Sequence, residues 1–504
     1  MHAFRTVPRR STFASGPGSA RLGLVAILMA GLGAAGYSGG TSADADIESW
    51  IDSGIESGSA VAAAPDRALR SRSFQFAERM PFALCFAPGT PHEEAERVQN
   101  HVYKHWLSLQ EDGGLAFNLT TQWSFASGPN SPITLRWSVA PDGIQIPDAA
   151  GVGSGPNQIN AKLASTFGSV EEGKEVIREL FAIWGELSGV TYVEVEDDGA
   201  SWGSPGSSTR GDVRIGAHGF TNANVLGYNQ FPQDGDMVLN GAISWGSPAD
   251  DYLFFRNVFM HEHGHGLGIL HVCPANETKL MEPFLSTAFF GPQHDDIRAV
   301  QRHYGDALEP NGDAVEAVDL GGPGSEAILA PISIADASDR DWFRFEAAEG
   351  SVLDVAVAPD GFTYNSGSQF LFFCLPGSSV NSLTVHDLAL RVLAADGSTV
   401  VAESDEAPAG QVESITGLVL GAGTYFLEVA GGFASNVQLY GLEFSVSEGE
   451  DPPSPADLDG DGVVNGEDLA ILLANWGGRG ALGDIDGNGI VDGADLAQLL
   501  GSWG

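Results

Sequence analysis

His261, Glu262, His265 and His271 are four residues whose types and spacing could do chemistry together. They lie in the run His261-Glu262-His263-Gly264-His265-Gly266-Leu267-Gly268-Ile269-Leu270-His271, which reads H-E-x-x-H-x-x-G-x-x-H. On a helix, residues i and i+4 share a face, so the imidazoles of His261 and His265 can meet one ion. Glu262 sits beside the first ligand without binding the ion and can serve as general base toward a water. Gly268 takes backbone angles that other residues avoid, so the chain can leave the helix sharply and return His271 as a third ligand. Three imidazoles leave one position of a tetrahedral zinc open, the arrangement of a catalytic site rather than a structural one. His263 falls on a different face and is read as a surface residue or one packed behind the ligands.

A second oxygen-rich pattern closes the chain. Asp457, Asp459, Asp461, Asn465 and Asp468 stand at positions 1, 3, 5, 9 and 12 of a loop with glycine at position 6. Asp484, Asp486, Asn488, Asp492 and Asp495 repeat it 27 residues later. Hard oxygen ligands at these positions are what a calcium loop needs, although Asp at position 12 reaches less far than Glu. A short apolar helix is expected after each loop, over residues 469–476 and 496–503.

The elements that must position these groups are legible in part. Ile133-Thr134-Leu135-Arg136-Trp137-Ser138-Val139 alternates like a strand, and Asp212-Val213-Arg214-Ile215-Gly216 is another. Ser169-Val170-Glu171-Glu172 reads as a capping box before a helix with Ile177, Leu180, Phe181 and Trp184 on its apolar side. The ligand-bearing helix is expected from Asp250-Asp251 to Gly266. A last helix begins near Asp295 and stops at Gly305. This is an α+β arrangement. Glu309-Pro310-Asn311-Gly312-Asp313 reads as a linker. Beyond it the period changes to two, in Asp341-Trp342-Phe343-Arg344-Phe345, Leu353-Asp354-Val355-Ala356-Val357, Leu388-Ala389-Leu390-Arg391-Val392 and Thr424-Tyr425-Phe426-Leu427-Glu428-Val429, with turns at Asp396-Gly397 and Gly421-Ala422-Gly423. That pattern predicts an all-β sandwich. An acidic, proline-rich linker follows over residues 448–455.

The 504 residues suffice for several domains, and 24 Lys plus Arg against 66 Asp plus Glu give a net charge of −42. That balance argues against binding nucleic acid or an anionic membrane through charge. Arg5, Arg9, Arg10 and Arg21 precede the apolar residues 22–30 and then small residues to Ala35, which reads as an export signal over residues 1–45. Ala43-Asp44-Ala45 is a plausible cut, Arg9-Arg10 leaves a twin-arginine route open, and an uncleaved anchor is the alternative. After cleavage no stable membrane span is expected, so the protein is read as secreted or cell-surface associated. Residues 46–115 form a prosegment or an N-terminal extension, with helical spacing from Glu93 to Tyr103. The three cysteines, Cys85, Cys273 and Cys374, do not resemble a disulfide framework, and Cys273 is expected as a buried, inert thiol rather than a cap on the metal.

The zinc motif resembles that of the metzincin metallopeptidases, and its surroundings resemble the matrixin branch over about residues 116–308. Leu280-Met281-Glu282-Pro283 is similar to the Met-turn of that family, which places Met281 beneath the ligands. Residues 295–305 resemble its C-terminal helix and residues 176–184 its first long helix. The resemblance implies upper and lower subdomains with zinc at the floor of a cleft, Phe284 walling the pocket after the cleaved bond, and hydrolysis of protein or peptide substrates. Two departures stand out. Tyr228 and Val238 occupy places where matrixins carry histidines for a structural zinc, so one zinc is expected. Cys85, in Pro81-Phe82-Ala83-Leu84-Cys85-Phe86, does not stand in the family's latency motif. Residues 314–447, through Asp341-Trp342-Phe343-Arg344-Phe345 and Gly423-Thr424-Tyr425-Phe426, resemble the bacterial pre-peptidase C-terminal domain. Residues 456–504 resemble a dockerin type I module, which implies a cohesin-like or cell-surface partner. The rival to a secreted zinc endopeptidase is an exported adhesion or assembly protein with a vestigial peptidase domain. The presence of all three ligands and the base counts against it.

Overall fold

The computed structural model describes residues 82–91, 93–95, 119–149, 151–370, 373–374, 377–432, 436–448, 454–479 and 482–503. The export signal, most of residues 46–115 and most of the acidic linker therefore lie outside the described residues.

The first sheet has six strands: β1 (Phe82–Phe86), β2 (Ile133–Val139), β3 (Val190–Glu194), β4 (Val213–His218), β5 (Val225–Gln230) and β6 (Met237–Asn240). Their order across the sheet is β1-β5-β6-β4-β2-β3. The β2–β3, β2–β4 and β4–β6 pairs are parallel, whereas β5 runs antiparallel to both β6 and β1. The alternation expected of β2 is present, with Ile133, Leu135 and Trp137 buried and Thr134 and Arg136 exposed. Strand β1 was not legible as an element.

Helix α1 (Ile159–Phe167) and helix α2 (Val170–Glu186) pack beside this sheet. Ser169 caps α2 by accepting from the Glu172 N–H, and Ile177, Leu180, Phe181 and Trp184 are buried as their spacing predicts. Helix α3 (Leu253–Gly266) carries the zinc motif and is preceded by a short 3₁₀ turn over Pro248–Asp250. Helix α4 (His294–Tyr304) ends at Gly305, and Asp295 and Asp296 lie in its first turn. Between α3 and α4 lies a two-residue strand, β7 (Val272–Cys273).

The sandwich forms from the period-two segments. One sheet has five strands in the order Val318–Gly321, Arg340–Ala347, Gly423–Ala430, Ala389–Ala394 and Val400–Ser404. The other has four, in the order Glu326–Ile334, Gln438–Val446, Ser351–Asp360 and Glu413–Leu420. Phe343, Phe345, Leu353, Val355, Leu390, Val392, Leu427, Val429, Leu442 and Phe444 fill the space between them.

Three expectations change at the boundary with the first domain. Strand Thr363–Phe370 leaves the sandwich and pairs antiparallel with β7, Gly367 opposite Cys273 and Ser368 opposite Val272. Cys273 is disulfide-bonded rather than a free thiol, whereas Cys85 is free and buried. The segment read as a linker is packed: Asn311 is fully buried, its N–H donates to Glu309 Oε2, and its carbonyl accepts from Trp342 N–H. Turn composition alone does not reveal such packing, because Pro, Asn and Gly serve buried and exposed turns equally. Carboxylates of Glu309, Asp339 and Asp341 converge here within 4.8 Å. Burial, together with neighbouring acidic charges, raises Glu309 to about 8 and Asp339 to about 6.

At the C-terminus each acidic loop leads into a helix, α5 (Gly466–Ala474) and α6 (Gly493–Gly501). Both start earlier than expected because Asn465 and Asp492 cap them, accepting from the N–H groups of Glu467 and Ala494. Val464, Leu472, Val491 and Leu499 form the small shared core.

Candidate metal centre

The chain is fixed around the three histidines by backbone carbonyls. Twelve residues of α3, from Phe255 to Gly266, are buried. Two glycines let neighbours press against it: a Cβ on Gly264 would collide with Met281 Sδ, and one on Gly266 would lie 2.7 Å from Asn229 Nδ2. The helix end is closed by side chains, with Tyr304 Oη donating to Leu267 O and Trp123 Nε1 to Gly266 O at 3.0 Å each. These satisfy carbonyls that a helix terminus leaves orphaned. Gly268 has φ of +91°, the left-handed turn that the sequence predicts, and the chain comes back to His271.

The three Nε2 atoms then converge, at 3.1 Å for His261–His265, 3.2 Å for His265–His271 and 3.3 Å for His261–His271. Tetrahedral zinc at about 2.0–2.1 Å from each nitrogen sets them about 3.3–3.4 Å apart. The other ring nitrogens are engaged: His261 Nδ1 donates to Leu280 O and His265 Nδ1 to Ile269 O, both at 2.7 Å. That fixes the tautomer and leaves the Nε2 lone pairs directed inward. Burial pushes His261 down to about 4, so its neutral form holds through ordinary pH. Among the described residues no other side chain joins this group of ligand atoms.

Glu262 is fully buried, and neither of its carboxylate oxygens has a hydrogen-bond partner. Burial pushes its carboxyl well above the usual range; the Cys85 N–H nearby opposes that without making a hydrogen bond of normal geometry. Two orphaned oxygens beside three converging nitrogens fit a water held over zinc, since buried polar atoms of native proteins otherwise find partners. His263 takes the second of its two expected places, packed behind the ligand face. It is buried, not on the surface, with its Nε2 2.7 Å from Tyr192 Oη and its ring edge-on to Phe181.

Two carboxylates that the motif does not include hold the loop beneath the ligands. Asp296 accepts from the N–H groups of Leu280, Met281 and Gln293 at 2.8–3.0 Å. Glu282 accepts from those of Asn276, Glu277, Thr278 and Lys279 at 2.7–3.0 Å. Asp296 thus positions the carbonyl of Leu280 that orients His261. The only sequence signal for it was its place in the first turn of α4.

Tyr228 and Val238, which stand where histidines of a second zinc site are expected, offer no imidazole there. Both are buried in an apolar cluster with Phe220 and Val225, and Tyr228 stacks on Phe220 with centroids 6.0 Å apart. Elemental analysis of the full chain is expected to return one tightly held zinc per molecule; two would show that ligands outside this cluster bind a further ion.

In the C-terminal loops the structure brings together Asp457, Asp459 and Asp468, and likewise Asp484, Asp486 and Asp495. Asp461 groups with Asp459 and Glu467, whereas Asp492 stays with its helix cap. Asn465 also serves as a cap, and Asn488 Nδ2 donates to Asp486 Oδ2.

Residues 165–305 match the family model described as matrixin, and residues 339–431 match the bacterial pre-peptidase C-terminal domain. The chain carries a matrixin domain. This family is one of zinc metallopeptidases. Over 145 residues the chain is 28% identical to a hatching enzyme of Paracentrotus lividus, a match that covers 26% of this chain and 22% of that protein. The chain therefore spans about a fifth of that relative's length. Among solved structures, the pre-peptidase C-terminal domain of a Bacillus anthracis collagenase is 14% identical, over 26% of this chain and 96% of that one, with a TM-score of 0.17. A Podospora anserina β-(1,4)-mannanase is 13% identical over 31% and 36%, with a TM-score of 0.16. Only residues 165–305 of the matrixin domain match its model, so β1 lies outside the family's matched region.

Proposed function

We propose that the chain is a secreted zinc endopeptidase, with His261, His265 and His271 as zinc ligands and Glu262 as the catalytic acid and base. The observation that carries the reading is the pair of partnerless Glu262 oxygens buried beside the converging Nε2 atoms. Zinc bound there supplies Lewis-acid chemistry, acidifying water and stabilising an oxyanion. Glu262 takes a proton from the attacking water and passes it to the leaving amine. Met281 packs under the ligand helix, and Phe284, half-buried just past it, walls the pocket for the residue after the cleaved bond. No helix among the described residues is long and apolar enough to cross a membrane.

The same reading assigns calcium to the two C-terminal loops as a dockerin-like module. Convergent carboxylates in both repeats support it, as does Asp484 Oδ1, buried without a partner. Equivalent apolar residues stay exposed in each repeat, Val463 with Ile490, Leu473 with Leu500, and Trp476 with Trp503. That doubled face is available to a cohesin-like or cell-surface partner. The purified protein is expected to hydrolyse casein, to lose the activity in a zinc chelator and to regain it with added zinc. Activity indifferent to chelation overturns the reading.

A further inference from the structure

We propose that residues 119–123 form a strap that holds the turn from Gly266 to Ile269 and so sets how tightly the three histidines bind zinc, with Thr120 and Trp123 as its positioning residues. This rests on the zinc reading above.

His261 and His265 owe their relative place to α3, which sets residues i and i+4 on one face. His271 has no such support, because it lies beyond Gly266, the last residue of that helix. Its position depends on the turn between. That turn reads Gly266-Leu267-Gly268-Ile269 and has little stiffness of its own, since glycine samples backbone angles most widely. A helix end also leaves its last carbonyls without intrahelical partners. Water could satisfy them, but water would hold nothing in place.

The structure removes that freedom one carbonyl at a time. Gly266 O accepts from Trp123 Nε1 at 3.0 Å and Leu267 O from Tyr304 Oη at 3.0 Å. Gly268 O accepts from Thr120 N–H at 2.7 Å, and Ile269 O from His265 Nδ1 at 2.7 Å. Each of these consecutive carbonyls has its own fixed donor, and two of the donors belong to the strap. Leu119 adds an antiparallel bridge to Ile269, and Trp123 N–H donates to Tyr304 Oη at 3.3 Å, which ties the strap to α4. The fit is close as well as bonded. A Cβ on Gly268 would stand 2.6 Å from Thr121 O, and one on Gly235 would stand 2.7 Å from the Trp123 ring, itself only 3% exposed. Past the turn, Val272 N–H donates to Met281 O at 2.9 Å, so the backbone is held on both sides of His271.

The strap therefore reaches two ligands through one turn. It fixes Ile269, whose carbonyl orients the His265 ring, and it fixes the exit toward His271. Removing a strap donor leaves a buried carbonyl unsatisfied, a cost the turn relieves by shifting. Any such shift draws Ile269 O away from His265 Nδ1 and the His271 ring away from its two neighbours. Partners behind the ligands count heavily in a metal site for this reason.

The test uses the full chain, stripped of metal and titrated with zinc against a chromogenic chelator, at a temperature where circular dichroism shows each zinc-free chain folded. Trp123→Phe keeps a ring and loses the donor to Gly266 O; Thr120→Pro removes the donor to Gly268 O. Each is expected to weaken zinc binding by about 10- to 100-fold. Cobalt bound in place of zinc is expected to lose visible absorption in both variants as the third imidazole withdraws. Ser124→Ala, which trims the exposed side chain next along the same segment, is expected to bind as wild type. Wild-type affinity in both strap variants overturns the proposal and leaves the peptidase reading standing, even if they melt earlier, because a strap that only stabilised the fold would do no more than that. Equal weakening by Ser124→Ala overturns it too. If Trp123→Phe does not fold, Thr120→Pro decides alone. An unaltered chain that takes up no zinc defeats the peptidase reading and this proposal with it.

Discussion

Replacing Glu262 with alanine is expected to leave one zinc per chain and to lower kcat/KM for a peptide by about a thousandfold. The metal is retained because the substitution touches no ligand: Leu280 O and Ile269 O still fix the rings of His261 and His265. Folding is preserved because neither carboxylate oxygen has a partner to lose, and removing an unsatisfied buried group costs no hydrogen bond. The loss falls on chemistry alone. General acid–base catalysis contributes about 10²- to 10⁴-fold, and a thousandfold corresponds to about 4 kcal/mol of transition-state free energy. Zinc content and turnover measured on the same sample decide the matter. Turnover near wild type with zinc bound removes Glu262 from the mechanism.

Calcium removal is expected to have a still more visible effect on residues 454–503. The shared core holds only Val464, Leu472, Val491 and Leu499, with Ala456 beside them, and a chain this short buries too little apolar surface to fold on that alone. Its loops also hold acidic groups within 4.8 Å of one another, which repel when no cation lies between them. Calcium replaces that repulsion with ligation and couples binding to folding. Asp468 and Asp495 are the hinge of the coupling. Each accepts from three backbone N–H groups of its own loop while lying in the first turn of its helix. The isolated segment should therefore show helical circular dichroism in millimolar calcium and lose it in chelator. A spectrum indifferent to calcium would leave the duplicated loops as a solvated acidic tail.

What could be read from the sequence was local. The histidine triad, its glycine turn, the buried face of α2 and the alternating strands of the sandwich all follow from spacing along a few turns or a few strand residues. What could not be read depends on residues far apart in the chain. Strand β1 is a five-residue apolar run whose partner lies about 140 residues later; nothing in its composition separates it from a buried turn or a helix fragment. Spacing left His263 between a surface place and a packed one, because only the distant α2 and β3 that cover it decide the matter. Cys273 looked inert because a disulfide to a distant segment leaves no local trace. The packing of Asn311 is hidden for the same reason, since its Pro and Gly neighbours signal a turn and say nothing of depth.

Arg298 of α4 is fully buried, and its guanidinium donates to Val437 O, Tyr364 Oη and Asn436 Oδ1 of the β domain. Directly after His271, β7 is completed by strand Thr363–Phe370 of that same domain. Taking the sandwich away would remove three acceptors of that guanidinium, leaving its ion pair with Asp295 of the same helix, and would unpair the strand next to the third ligand. The β domain is therefore a keystone and not a trailer. Removing the β domain is thus expected to destabilise the segment that carries His271, so the two domains should unfold together.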